Sequence, residues 1–185
     1  MSRKPAQRAG LTENEELVKA LVAELKTPTR HEEYGKLVMT IRNLSKTPRG
    51  VEMLYQARTI PELVALLGHQ NVKYVTFALD TLHALIRHQP PAKQQVRLCG
   101  GVEKMVDLMA RTENELNHAQ SMLFDCLNCL AYHSVETKGI VLSMGGTNQL
   151  LKIIATAAKQ KQADKKLVTA AKLLKVLSID DQNKE

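Results

Sequence analysis

The chain has no tryptophan, and its two phenylalanines and four tyrosines bring aromatics to only 3% of 185 residues. Glycine and proline are also sparse, at nine and six. A β-sandwich or barrel needs aromatic strands joined by many turns, and this composition argues against one. No apolar run reaches the roughly eighteen residues that a membrane span needs, so no membrane insertion is expected. The first twenty residues carry Arg3, Lys4 and Arg8 with no apolar core, so no signal peptide is read there. Cysteine is scarce and odd in number: Cys99, Cys126 and Cys129 read as reduced thiols of an intracellular protein.

What is present is a globular balance of 44% apolar and 24% charged residues, the apolar part being mainly Leu, Val, Ile, Ala and Met. This suits an all-α chain. The net charge of +7 favours an acidic partner.

The main signal is an internal repeat. Leu21-Val22, Leu63-Val64, Met105-Val106 and Leu150-Leu151 mark one ladder, with spacings of 42, 42 and 45. A second ladder runs through Ile41 to Leu44, Leu82 to Leu85, Leu127 to Leu130 and Leu174 to Leu177, with spacings of 41, 45 and 47. In its second copy Val75, Ala78, Leu79, Leu82, Leu85 and Ile86 fall on one helical face, while Thr76, Asp80, His83 and Arg87 fall on the other. One copy alone cannot bury such a stripe, so neighbours must stack. A short third helix precedes Gly100-Gly101 and Gly145-Gly146, where glycine permits a sharp left-handed corner. The earlier copy departs, with Arg58-Thr59 in place of the glycine pair. Three helices per unit favour armadillo over HEAT architecture.

The expected fold is an all-α armadillo-repeat solenoid, a right-handed superhelix of about four repeats. Residues 1–14 form a loose basic arm, and 15–185 the repeat domain, in units of about 15–46, 47–88, 89–133 and 134–179. Insertions are expected around 112–118 and 156–166. The final unit has no following neighbour, so Leu167, Leu173, Leu174 and Leu177 are expected to be partly exposed.

Beyond the period, particular residues carry a resemblance. Thr81 to Gln89, Ala92-Lys93, Val96 to Val106, Asp125 to Tyr132 and Leu174 to Ser178 resemble the armadillo domain of the beta-catenin family, in its early-to-middle repeats. The resemblance covers about Leu17 to Lys184. The chain stops just after the long helix of its last unit, as expected of either a fragment or a reduced homologue.

The resemblance implies that the long helices line a concave groove. The polar rows would be Gly35, Met39, Arg42 and Lys46; Thr76, Asp80, His83 and Arg87; Ser121, Asp125, Asn128 and Tyr132; and Val168, Lys172, Lys175 and Ile179. It also implies extended acidic peptides as ligands: a cadherin cytoplasmic tail, a T-cell-factor-type transcription factor or an axin-type scaffold. Asparagine clamps a peptide main chain and Lys or Arg pairs with its carboxylates. The site residues so implied are Arg42, Asn43, His83, Arg87, Lys93, Asp125, Asn128, Lys172 and Lys175, with Lys93 near Arg42, Asn43 and His83. Ala84 stands where the family has an Asn, Val168 where it has a Trp, and Lys172 where it has an Arg. Roles in adhesion and Wnt signalling, in cytoplasm, adherens junction and nucleus, follow from the same resemblance.

No catalytic constellation emerges. Cys126 and Cys129 have zinc or redox spacing but no second pair, and no His pair has zincin spacing. The expectation is a scaffold without enzyme activity, cofactor or metal. A basic solenoid binding nucleic acid is the alternative, against which sparse aromatics weigh.

Overall fold

The computed structural model describes residues 5–26, 31–111, 117–159 and 165–179. Eleven helices and no strand are present among them. They are α1 (Pro5–Lys26), α2 (His31–Leu44), α3 (Pro48–Gln56), α4 (Ile60–Leu66), α5 (Val72–His88), α6 (Ala92–Leu98), α7 (Gly101–Arg111), α8 (Asn117–Ala131), α9 (Val135–Ser143), α10 (Gly146–Lys159) and α11 (Lys165–Ser178). From α3 onward a set of three helices recurs three times, the first of each set no longer than 9 residues and the third at least 14. The basic arm expected over 1–14 is entered by α1, which begins at Pro5. Of the first insertion, 112–116 lies outside the described residues. Of the second, 160–164 does so too, while Thr156 to Lys159 form the last turn of α10 rather than a loop.

Local signals set the helix starts. Thr47 accepts a hydrogen bond from the Gly50 amide at 3.1 Å, with Pro48 in the first turn of α3. Asn71 accepts from the Lys73 amide at 3.0 Å, and Ser134 from the Thr137 amide at 3.2 Å. Each side chain satisfies an amide that has no partner within the helix.

The corners between the first and second helices of each set are alike in all three. Gly100 and Gly145 have φ of +70° and +72°, and Arg58 holds the same left-handed conformation at +56°. The following position is sterically tight for a different reason. A Cβ on Gly101 would lie 2.8 Å from the Val96 carbonyl oxygen, and one on Gly146 2.9 Å from that of Val141. Thr59 occupies this position in the earlier unit, fully buried, and its hydroxyl donates to the equivalent Leu54 carbonyl at 2.7 Å. There the close approach becomes a hydrogen bond.

The core runs between units. α8 packs against both α5 and α11, and α5 against α2. Leu79, Leu82, Phe124, Leu127 and Leu173 are fully buried along these contacts. Of the four leucines expected to be partly exposed in the last unit, Leu167 and Leu174 are half-buried, while Leu173 and Leu177 depart from the expectation and are buried. The α11 face carrying them turns inward onto α8 and α10. Lys138, itself buried, donates to the Ile179 carbonyl at 2.8 Å and so ties the end of α11 to α9.

The corner geometry gives a paired expectation. Arg58→Gly removes a left-handed penalty of about 1 kcal/mol and should raise the denaturation midpoint slightly. Gly101→Ala drives a methyl group into the Val96 carbonyl and should lower stability by about 1–3 kcal/mol. Urea titrations of both variants check the two signs.

Candidate functional site

The expected polar rows start from helix periodicity. Because α2, α5, α8 and α11 bury their apolar faces against one another, their remaining faces line up side by side. Asp80 and His83 are half-buried on α5, as are Asp125 and Asn128 on α8, while Arg87 is exposed at the end of α5. On α11, Val168, Lys172 and Lys175 are exposed. Ser121 departs from its row and is buried.

Arg42 is already engaged. Its Nε donates to Asp80 Oδ2 at 2.6 Å, across from α2 to α5. Its guanidinium also lies 4.8 Å from the centre of the Phe77 ring, a cation–π distance. Asn43, next to it, is exposed.

Further along, α5, α6, α8 and α11 enclose a cleft of ≈ 540 Å³. Arg87, Lys93, Lys172 and Lys175 bring four positive charges to it, and no carboxylate lines it among the described residues. Ile86, Val176 and Ile179 give it an apolar floor, with Tyr132 and Cys129 beside them. Asn128 completes the wall, and its buried amide oxygen has no hydrogen-bond partner among the described residues. A buried acceptor without a donor is costly unless a ligand supplies one.

Five of the nine expected site residues therefore meet in this cleft: Arg87, Lys93, Asn128, Lys172 and Lys175. Arg42, Asn43, His83 and Asp125 do not line it. Lys93 lines the cleft beside Arg87, Asn128 and Cys129, and its charge acts on the Cys129 thiol. The apolar floor was not among the expected site residues, since attention to charge passes over Val176 and Ile179. The place of Ile179 in the row carried by α11 was the available signal.

Cys126 is fully buried, and burial pushes its thiol well above the ordinary range. Its Sγ donates to the Leu79 carbonyl at 3.6 Å. Burial also raises Cys129, against the pull of Lys93 and Arg87. Among the described residues no group of three His, Cys, Asp or Glu could hold a metal ion. No described helix is long and apolar enough to cross a membrane.

His83 gives a pH dependence. Burial lowers its pKa from the ordinary 6.5, with Asp125 pulling the other way. The unfolded chain then takes up the proton first as pH falls. Stability from this group is intact above pH 6.5 and is lost below it, down through the folded-state pKa. His83→Gln should show a smaller loss of stability between pH 7.5 and 5 than the wild type, measured by urea denaturation at each pH.

No family model matches the chain. It is 35% identical to catenin beta of Urechis caupo over 184 residues, covering all of this chain and 22% of that protein. It is 32% identical to human junction plakoglobin over the same length, covering 24% of that protein. The chain thus spans about a quarter of the length of the curated relatives it matches. Both are homologues along its whole length. A solved structure concerned with a phosphorylation switch in the cadherin–beta-catenin interaction superposes with a TM-score of 0.78 at 19% identity, over 90% of this chain and 30% of that one. A designed armadillo repeat protein in complex with the peptide (KR)4 superposes with a TM-score of 0.67 at 14% identity, over 84% of this chain and 62% of that one. The fold is the armadillo repeat.

Proposed function

We propose that this armadillo-repeat chain, homologous to catenin beta and junction plakoglobin, is a non-enzymatic scaffold whose groove binds extended acidic peptides. The observation that carries the reading is the cleft at α5, α6, α8 and α11. Four cations with no carboxylate among the described lining residues repel one another, and a ligand bearing carboxylates relieves that repulsion. The unpaired Asn128 oxygen suits a peptide amide. The apolar floor takes an apolar side chain of the same ligand.

The partner put first is a cadherin cytoplasmic tail, since cadherin is the partner in the related beta-catenin structure. Tails of T-cell-factor and axin type offer the same acidic chemistry and are the further candidates. A role in adhesion and Wnt signalling follows, with the chain in the cytoplasm, at adherens junctions and in the nucleus. Residues 15–185 then serve as one armadillo domain.

Lys93→Glu reverses one charge in the cleft and should weaken an acidic cadherin-type peptide about tenfold or more, each ~1.4 kcal/mol being a factor of ten. The loss should shrink as salt rises. Lys19→Glu is the control, because Lys19 is exposed on α1 and pairs with Glu16 at 2.7 Å. Titration calorimetry decides: equal losses for both variants mean that net charge alone governs binding, and the nucleic-acid alternative then takes over.

A further inference from the structure

The two halves of the groove differ in charge, and the difference comes from pairing rather than composition. At the α2–α5 end Arg42 is bonded to Asp80 at 2.6 Å. Asp80 is the more enclosed partner, with 15% of its side chain exposed against 31% for Arg42. Phe77 supports the guanidinium from α5, so Arg42 is held by two neighbours at once. Next along stand His83 and, on α8, Asp125. The charges acting on His83 are those of Asp125, Arg87, Asp80 and Lys165. Burial favours the neutral imidazole, so His83 adds no positive charge near neutral pH. Arg42 and Asp80 cancel, and of the other charges acting on His83, Asp125 opposes Arg87 and Lys165. Past Arg87 the unpaired cations gather, since among the described residues the cleft is lined by four cations and no carboxylate.

We infer that the groove reads acidic residues at one end only: it takes a peptide whose carboxylates cluster on the segment lying in the α5–α8–α11 cleft, and whose continuing segment over α2 and α5 is uncharged or basic. This rests on the acidic-peptide reading proposed above and narrows it. A carboxylate laid over Asp80 and Asp125 meets like charge on partly desolvated groups, which costs affinity. Arg42 offers it no compensation while Asp80 holds the guanidinium. An uncharged segment meets no such penalty, and a lysine or arginine there gains Asp125 as a partner. Asn43 is exposed at this end and remains available to the ligand main chain.

The test uses the full chain and peptides of equal length, with glutamate blocks at the amino end, at the carboxyl end or at both, joined by a Gly-Ser spacer. The wild type should bind the double-block peptide no tighter than the better single-block peptide, within about twofold. Asp80→Asn removes a like charge and releases Arg42, and should tighten the double-block peptide about tenfold while leaving the better single-block peptide nearly unchanged. Asp125→Asn should shift the preference the same way with the Arg42–Asp80 pair intact, so the test does not depend on the folding of one variant. A wild type that favours the double-block peptide about tenfold, or a failure of both Asp variants to favour it, overturns the inference. Lys172→Glu separates the two levels. If it abolishes binding of every peptide while the preference is absent, the cleft reading survives and the division of the groove is wrong. If no peptide binds the wild type, both readings fall.

Discussion

Each long helix is stable only because it lies against the long helix of the next unit. α8 shows this best, with α5 on one side and α11 on the other and Leu123, Phe124, Leu127 and Leu130 fully buried between them. No unit can bury that surface internally, so order in one unit is conditional on its neighbours. The polar bonds follow the same rule. Arg42–Asp80, Tyr55–Gln95, Val64–Lys104 and Arg97–Ser134 join residues 38, 40, 40 and 37 apart, close to one repeat length. Nearest-neighbour stacking thus organises both the apolar core and the polar cross-links.

The groove is the other face of that packing. Burying one stripe of every long helix leaves the opposite stripes aligned, and cations from α5, α6 and α11 converge although they are far apart in sequence. Convergence of like charges is unfavourable in the free protein, and the openness of the cleft to water and salt keeps the cost small. The binding reading draws on that residual repulsion. Tying the end of α11 through Lys138 also steadies the wall that carries Lys172 and Lys175.

Much of this was legible in one dimension. Two ladders of nearly equal period gave the helices, their grouping and the stripe that faces away from the core. The glycine pairs gave the corners, and the left-handed φ of Gly100 and Gly145 is the reason they work. Arg58-Thr59 broke the pattern without breaking the corner. Arg58 takes the left-handed conformation despite its Cβ, and Thr59 bonds the carbonyl that would otherwise exclude it. The inward turn of Leu173 and Leu177 was less legible, because a repeat count does not say which face of a terminal helix meets its neighbour.

The electrostatics of the site mark the boundary. Residue type and periodicity were enough to put Arg42, Asp80, Arg87, Lys172 and Lys175 on polar faces. They could not tell that Arg42 is engaged by Asp80 while Arg87, Lys93, Lys172 and Lys175 share a cleft that no described carboxylate lines. A hydrophobic period constrains the rotation of a helix to within a face, and a face is wide enough to hold several partners. Ion pairing depends on separations of a few ångströms between side-chain tips on different helices. That separation is set by how the units stack, and it exists only once they have.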